Sequence, residues 1–217
     1  PQIFKLHSMY KKKIPRQCKP LNEWTLDEFV AEINNQFVFS ETTARIIFFA
    51  LKYEKNVLFH GPKGHAKSEI VEFALQMIMP PEEFLMDVFV TACGGKMKSE
   101  PFQGYQSLPA FKEGRMETIM DQTMLVKSKY AILDELLAAP ESLLLFLRDG
   151  ISRGKLCASD GVCHIVRTKV IFACTNVDPQ TWVDGAGSDD EKRSRDSFLD
   201  RFLYRKQIVW PSYTVED

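Results

Sequence analysis

The sequence of 217 residues lacks any uninterrupted apolar run that approaches the length needed to cross a bilayer. Its first residues, 1–5, also lack the apolar core of a secretory signal peptide. Internal repeats, low-complexity tracts and composition shifts are absent as well. We therefore expect a cytoplasmic protein with one domain and no membrane partner.

An excess of charge of one sign is also missing. Lysine and arginine together number 28 and aspartate and glutamate 29, so the formal net charge is −1. Without a global basic field, net charge gives no reason to expect nonspecific binding of nucleic acid, and any such contact would have to be local. The hydrophobic share of 45% and the charged share of 26% are ordinary for a globular domain with a sizeable core.

Cysteine is scarce, and its number is odd. The chain has 5 cysteines and no recognisable secretory signal, so we expect reduced thiols rather than a disulfide framework. The one cluster that resembles metal ligands contains Cys157, Cys163 and His164. Its spacing matches no zinc pattern, and no second cysteine pair accompanies it, so zinc is not expected.

The N-terminal part of the chain divides into an arm and the start of the core. Residues 1–21 contain three consecutive lysines together with Pro15 and Pro20 and are interpreted as an extended arm, whereas residues 22–217 form the predicted core. Thr25 and Glu28 make a capping box that predicts a helix to about Asn34. A second helix is predicted from Ser40 and Glu41 through Leu51.

Strand-like apolar runs alternate with helix-like segments through the rest of the chain. This alternation is typical of a parallel sheet in an α/β domain. The five predicted strands cover residues 56–60, 86–90, 130–133, 170–174 and 207–210.

Two stretches interrupt the alternation and are interpreted as inserted β-hairpins. Residues 155–166 centre on Asp160-Gly161, a strong signal for a two-residue hairpin turn. Residues 104–115 carry a weaker signal of the same kind. The acidic stretch 184–191 is interpreted as a mobile loop.

A glycine-bearing turn follows the first predicted strand and precedes a helix-like segment. Backbone amides in such a turn can face phosphate oxygens at the helix N-terminus, with Lys67 near the β- and γ-phosphates and the Ser68 hydroxyl near Mg²⁺. Ala66 stands where the phosphate-loop pattern has glycine, so we expect its φ to be negative. The alternative is a turn before an ordinary helix. The turn consists of Gly61, Pro62, Lys63, Gly64, His65, Ala66, Lys67 and Ser68.

Two adjacent carboxylates end the predicted strand at residues 130–133. One acid can hold the coordination shell of Mg²⁺ while its neighbour orients a water molecule. We assign Asp134 to the metal and Glu135 to the water as its base. The alternative is an acidic pair placed at a helix N-terminus, where the helix dipole favours it.

Two further candidates lie later in the chain. Asn176 follows a strand at the carboxyl edge of the sheet, where it can orient the attacking water or contact the γ-phosphate, although asparagine there is also a common turn former. Arg201 either makes a surface salt bridge or reaches the γ-phosphate of a neighbouring subunit. Its rivals for that role are Arg193, Arg195 and Arg205.

Taken together, these pieces resemble the MoxR branch of the AAA+ ATPases over most of the chain. Within that branch the resemblance is closest to the regulatory ATPase variant A type. The residues that carry the resemblance are Gly61 to Ser68, 102–105, 113–115, 133–135, 175–176 and 200–202.

The resemblance implies a P-loop core with a parallel five-stranded sheet, flanking helices and inserted hairpins, with ATP and Mg²⁺ as cofactors. It implies a Walker A motif at Lys67 and Ser68, a Walker B motif at Asp134 and Glu135, a first sensor at Asn176 and an arginine finger at Arg201. The interruptions would then be the helix-2 insertion and the hairpin before the first sensor. Because few residues follow Trp210, we expect the helical lid to be absent from this chain.

The leading hypothesis is an ATP-hydrolysing remodeller of protein clients that acts as a ring, in particular a hexamer. By resemblance, its partner would be a client or adaptor protein, such as one with a von Willebrand factor A-type domain. One alternative is an ATPase that translocates nucleic acid or takes part in replication. Another is a nonhydrolysing scaffold regulated by nucleotide, which the missing lid favours and the intact Lys67, Asp134 and Glu135 disfavour.

Overall fold

The computed structural model describes residues 15–37, 40–95, 100–120, 123–158 and 160–208. Residues 1–14 of the predicted arm and residues 209–210 of the last predicted strand lie outside the described residues. Among the described helices, none is long and apolar enough to cross a membrane.

A five-stranded sheet with the order β2-β5-β8-β1-β9 forms the centre of the fold, and all of its neighbouring strands are parallel. This confirms the predicted α/β class. Apolar side chains cover both faces because helices pack on each side. The strands of the described residues are β1 (Val57–His60), β2 (Val88–Ala92), β3 (Tyr105–Gln106), β4 (Thr118–Ile119), β5 (Tyr130–Asp134), β6 (Lys155–Cys157), β7 (Cys163–Ile165), β8 (Val170–Thr175) and β9 (Tyr204–Gln207).

Helices flank the sheet, and the core has two layers. Successive residues of a strand point to opposite faces, so in β1 Phe59 packs into one hydrophobic cluster and Leu58 into the other. The α-helices are α1 (Leu26–Asn34), α2 (Glu41–Tyr53), α3 (Lys67–Ile78), α4 (Pro81–Asp87), α5 (Glu100–Gln103), α6 (Leu108–Lys112), α7 (Met124–Lys127), α8 (Glu141–Arg153), α9 (Pro179–Asp184) and α10 (Asp189–Leu199), with short 3₁₀ helices at Leu21–Glu23 and Leu136–Ala138.

The predicted helix starts are confirmed near the N-terminus. The Glu28 amide donates a hydrogen bond to Thr25 Oγ1 at 3.3 Å, and the Thr25 amide donates one to Glu28 Oε2 at 3.1 Å. This reciprocal pair satisfies two amides that the helix itself leaves unpaired. Helix α2 likewise begins at Glu41, as predicted.

The acidic stretch 184–191 was wrongly predicted as a loop throughout. Residues 189–191 form the first turn of α10, where Ser188 caps the helix by accepting a hydrogen bond from the Glu191 amide at 3.2 Å. Carboxylates in a first turn are stabilised by the positive end of the helix dipole. Their density therefore marked a helix start rather than a loop.

Two strand boundaries also differ from the prediction. The last strand covers Tyr204–Gln207 rather than residues 207–210, because an edge strand with alternating exposure has no continuous apolar run. Strand β2 begins at Val88 because residues 86–87 complete helix α4.

Both insertions contain antiparallel strand pairs. Strands β6 and β7 form the hairpin predicted at residues 155–166. The other insertion is longer than predicted, because β3 pairs with β4 across helix α6 and closes at Ile119.

The expectation of reduced thiols is wrong for one pair. Cys157 ends β6 and Cys163 begins β7, so the register of the hairpin places them opposite each other, and they form a disulfide. The three other cysteines are free. With both sulfurs joined to each other, neither thiolate is free to bind zinc.

Asn56 connects the starts of three neighbouring strands, β8, β1 and β9. Its Oδ1 accepts a hydrogen bond from the Ile171 amide in β8 at 2.9 Å, and its Nδ2 donates one to the carbonyl oxygen of Arg201 before β9 at 3.2 Å. Because Asn56 itself precedes β1, one amide side chain holds together the amino-terminal edge of the sheet.

We predict that Asn56→Ala lowers the free energy of unfolding by about 1–3 kcal/mol, since it leaves a backbone amide and a carbonyl without their partner. Urea denaturation measures the change. The exposed Asn22→Ala should change stability by less than about 0.5 kcal/mol and is the matched control. Equal stability of the two variants would contradict this account of Asn56.

Candidate functional site

Three central strands end side by side at the carboxyl edge of the sheet. Strand β1 ends at His60, β5 at Asp134 and β8 at Thr175, and parallel pairing brings these ends to one edge. In open α/β sheets, ligands bind in the crevice outside this edge. A cavity of about 470 Å³ lies there, lined by residues 63–69 and by Asp134, Glu135 and Asn176.

The loop from β1 to α3 depends on glycine at its first position. Gly61 has a φ of 148°, and a Cβ at this residue would lie 2.1 Å from the carbonyl oxygen of Ile208. No larger side chain fits this close approach. The Gly61 amide also donates a hydrogen bond to the Thr175 carbonyl oxygen at 3.2 Å, which ties the loop to β8.

The prediction of a negative φ at Ala66 is wrong. Ala66 has a φ of 50° and lies in the left-handed region immediately before α3. The chain must reverse here to start the helix, and this turn geometry overrides the preference of an L-residue, at a cost of roughly 1–2 kcal/mol. The loop accommodates the methyl group of Ala66, and the backbone at this residue keeps the left-handed conformation that is typical of glycine.

Lys67 is the central side chain of the site. Although it is a lysine, it is 8% exposed, and its Nζ donates hydrogen bonds to the carbonyl oxygens of Gly61 at 2.9 Å and Pro62 at 2.7 Å. Burial lowers the pKa of the Lys67 ammonium, while nearby acidic groups, which include Asp134 and Glu135, act in the opposite direction. The cation is therefore held by its own loop at the floor of the cavity.

Asn176 connects Lys67 to the carboxylate after β5. Its Oδ1 accepts a hydrogen bond from Lys67 Nζ at 2.9 Å, and its Nδ2 donates one to Glu135 Oε1 at 3.3 Å. The residues run in the order Lys67, Asn176, Glu135, with Lys67 at the start of α3 and the other two directly after β8 and β5. The structure thus brings together side chains that the sequence separates by up to 109 positions.

The backbone at Glu135 is strained. Its φ is 54°, in the left-handed region, and it precedes the short 3₁₀ helix at Leu136–Ala138. Such conformations cost about 1–3 kcal/mol and occur often at functional sites. The carboxylate is exposed and directed to Asn176, so the Glu135 side chain does not cap a helix.

Several residues of this edge were missed by sequence reasoning. Cys93 donates its amide hydrogen to the Asp134 carbonyl oxygen at 2.6 Å, and burial, with the Asp134 charge, raises the pKa of its thiol to about 12. His60 Nδ1 lies 3.7 Å from Asp178 Oδ2, and burial lowers the pKa of this imidazole. Asp178 caps α9, and the dipeptide Asp178-Pro179 was the available signal for that helix start.

Arg201 lies away from the cavity. It precedes β9, whose first residue Tyr204 is level with Val57 at the start of β1, so Arg201 is at the amino-terminal edge of the sheet. Its Nε donates a hydrogen bond to Ser152 Oγ at 2.6 Å. The structure therefore does not place Arg201 with Lys67 of the same chain.

The three rival arginines have acidic partners. Arg205 pairs with Asp200 at 3.0 Å, Arg193 with Asp190 at 3.6 Å and Arg195 with Glu191 at 2.5 Å. The Arg195 guanidinium also lies 5.0 Å from the ring centroid of Trp182.

The residues at the cavity fit a magnesium nucleotide. The Ser68 hydroxyl and the Asp134 carboxylate offer hard oxygen ligands, which Mg²⁺ prefers. The N-terminus of α3, with the loop amides before it, favours anionic phosphate.

Comparison with known proteins shows a family match over most of the chain. Residues 24–210 match the family model described as the MoxR domain in the MoxR-vWA-beta-propeller ternary systems. Among curated protein sequences, none matches the chain significantly.

Solved structures share the fold at low sequence identity. A Saccharomyces cerevisiae Hsp104 complex with ADP superposes with a TM-score of 0.55 at 12% identity and covers 84% of this chain and 35% of that one. The crystal structure of a proposed ATPase from Cytophaga hutchinsonii gives a TM-score of 0.55 at 14% identity, over 87% of this chain and 52% of that one. The chain thus spans about a third to a half of the length of these proteins, and the likeness extends to the fold alone.

We predict that Ala66→Gly raises the free energy of unfolding by up to about 1 kcal/mol, because glycine removes the left-handed strain at a smaller cost in unfolded-state entropy. Gly64→Ala is the matched variant in the same loop. With a φ of 82° and nothing within 4 Å of the added Cβ, it should lower stability by about 1 kcal/mol through backbone strain alone. Urea denaturation measures both changes, and a less stable Ala66→Gly protein would contradict the geometry at residue 66.

Proposed function

The chain belongs to the MoxR family of AAA+ ATPases, and we propose that it binds Mg-ATP in the cavity around Lys67 and hydrolyses it. The hydrogen-bonded series from Lys67 through Asn176 to Glu135 is the observation that carries this proposal. It joins a cation suited to phosphate with a carboxylate suited to water, within one cavity and across three strand ends.

Each residue has a distinct role in this proposal. The amides of the loop and the Lys67 ammonium bind the phosphates, while Ser68 and Asp134 hold the metal. Bound Mg-ATP supplies the terminal phosphoryl group and the charge that draws a water towards it. Glu135 accepts a proton from that water, and Asn176 keeps the carboxylate in place through its Nδ2.

We propose that Arg201 acts on a neighbouring copy in a ring. Stabilising a transferring phosphoryl group needs more positive charge than Lys67 supplies, and a guanidinium remains charged and offers a planar fork to phosphate oxygens. Arg201 is at the sheet edge opposite its own cavity, so it can serve such a cavity only on another subunit. This requirement supports a ring, in particular the hexamer expected from the family.

A protein client is favoured over nucleic acid by the surfaces of the two insertions. Exposed apolar side chains are concentrated there, which is typical of surfaces that bind proteins. Two basic side chains near the insertions, by contrast, are paired with acids: Arg167 pairs with Asp87 at 3.0 Å, and Lys169 pairs with Glu54. The exposed apolar residues are Tyr105, Leu108, Phe111, Met116, Ile119, Val162 and Ile165.

The family description points to the kind of partner. The matched model is described by its occurrence in MoxR-vWA-beta-propeller ternary systems, which supports a partner of the vWA class. We propose that a vWA domain protein is the adaptor or client of this chain and that ATP turnover remodels it.

Removing the Lys67 ammonium should weaken binding of Mg-ATP. We expect Lys67→Ala to raise the dissociation constant at least tenfold, or about 1.4 kcal/mol, because amides alone do not balance the phosphate charge. Calorimetry measures the affinity. Lys112→Ala, at an exposed lysine of α6 outside the cavity, is the control, and unchanged affinity in Lys67→Ala would refute the assignment of this loop.

Glu135 should affect turnover and spare binding. Glu135→Gln keeps the shape and the contact with Asn176 but removes the base, so hydrolysis should fall by about 10²-fold or more at similar nucleotide affinity. Phosphate release and calorimetry, with Glu141→Gln as a surface control, measure the two quantities. A parallel loss of affinity would make Glu135 a structural or metal-binding residue, and a parent protein with binding but no turnover would support the scaffold alternative.

Arg201 should act across subunits. The Arg201→Ala protein should bind ATP normally and hydrolyse it poorly, whereas Arg193→Ala, at an exposed arginine of α10, should behave like the parent. Mixing Arg201→Ala with Lys67→Ala should restore part of the turnover, because one subunit offers an intact cavity and the other an intact arginine. The mixture is assayed at concentrations where sedimentation detects oligomers. No recovery in an oligomeric mixture would exclude the role in trans.

A further inference from the structure

A single carboxylate connects the two insertions. Asp160, in the loop between β6 and β7, accepts a hydrogen bond at Oδ2 from the Thr118 amide of β4 at 2.7 Å. Its Oδ1 accepts a second bond from the Val162 amide within its own loop at 2.9 Å. These hydrogen bonds lower the pKa of Asp160, so the carboxylate remains an acceptor near neutral pH.

The loop that presents Asp160 is closed by the disulfide between Cys157 and Cys163. The Ala158 amide donates a hydrogen bond to the Val162 carbonyl oxygen at 2.8 Å, and the Gly161 amide donates one to the Ala158 carbonyl oxygen at 3.0 Å. These backbone bonds lie inside the ring that the disulfide closes. Asp160 is therefore presented by a loop that both backbone hydrogen bonds and a covalent link close.

The two bonded cysteines differ from the free ones in access. Cys157 and Cys163 are both exposed, so a reductant in solution can reach their sulfurs. Cys93 and Cys174 are buried, and burial raises the pKa of both thiols, which keeps them protonated and unreactive. Cys18 is the other exposed cysteine, and it is free.

We propose that the Cys157–Cys163 bond is a site of thiol–disulfide exchange with a dithiol reductant, and that its redox state sets how firmly Asp160 holds the β3–β4 insertion. This inference goes beyond ATP binding and hydrolysis and does not depend on them. The disulfide restrains the loop, and the Asp160 carboxylate transmits the redox state of the disulfide to the β3–β4 insertion.

The exchange is balanced in atoms and electrons. A thiolate of the dithiol attacks one sulfur, the bond between Cys157 and Cys163 breaks, and a mixed disulfide forms. The second thiol of the reductant then displaces the protein sulfur and leaves as a cyclic disulfide. The two cysteines gain two electrons and the two protons that the dithiol loses, so the protein is reduced and the dithiol oxidised.

The amide of Thr118 provides a direct readout, because its acceptor is the Asp160 carboxylate. In a Cys18→Ser protein without nucleotide, iodoacetamide should label Cys157 and Cys163 only after treatment with dithiothreitol. Reduction should speed hydrogen exchange of the Thr118 amide by about tenfold or more. The reason is that the segment from Cys157 to Cys163 has more conformations when its cysteines are reduced than when the disulfide closes it. Amides of the central strands, such as Ile132 and Phe172, should exchange as before.

Two variants distinguish a specific effect of the disulfide on Asp160 from a general loosening of the fold. The Cys157→Ser/Cys163→Ser protein should show fast exchange at Thr118 with or without dithiothreitol. Asp160→Ala should show the same fast exchange in both states while its cysteines still respond to reduction. Labelling of both cysteines without reductant, equal exchange at Thr118 in the two redox states, or equal acceleration at Ile132 would each overturn the proposal. Because no nucleotide is present, failure here is distinct from failure of the proposed ATPase function.

Discussion

The position of the Lys67 ammonium is the constraint on which the site depends. A buried cation must have acceptors around it, and here they are two carbonyl oxygens of its own loop and the amide oxygen of Asn176. This requirement fixes the loop after β1 against the end of β8. Asn176 then fixes Glu135 at the end of β5, so one charge orders three strand ends. A phosphate that enters the cavity would compete for hydrogen bonds that already exist, and the arrangement of Asn176 and Glu135 would respond to it.

The carboxyl-terminal and amino-terminal ends of the strands form two edges of the sheet with different features. The carboxyl edge holds the cavity, whereas the amino edge is held together by Asn56 and carries Arg201. A single chain therefore presents the cavity at one edge and Arg201, hydrogen-bonded to Ser152, at the other. The insertions add a third region, in which Asp160 of one contacts Thr118 of the other. The proposal of a ring rests on the separation of the cavity from Arg201, and the proposed response of the insertions rests on the contact between Asp160 and Thr118.

The sequence predicted the features of the fold and of the site that have a local signal in it. Buried parallel strands appear as continuous apolar runs, and Thr25 and Glu28 form a local hydrogen-bond pair, so both were predictable. The loop residues Gly61 to Ser68 and the acids 134–135 were found by spacing, and residues 63–68 of the loop line one cavity with both acids. The φ of Ala66 was not predictable, because the turn into α3 overrides the preference of the residue. The pairing of Cys157 with Cys163 depended on hairpin register, and the position of β9 depended on an edge strand without an apolar run.

Hydrogen exchange with and without a nonhydrolysable Mg-ATP analogue tests most directly whether these three strand ends form one nucleotide site. The account predicts that bound nucleotide slows exchange in three separate segments at once, residues 62–69, 134–137 and 175–177, because the ligand and the Lys67 contacts join them. The centre of the sheet, already protected, should change little. Protection limited to one of these segments, or found instead at a second cavity that Trp24 and Tyr130 help to line, would contradict the account.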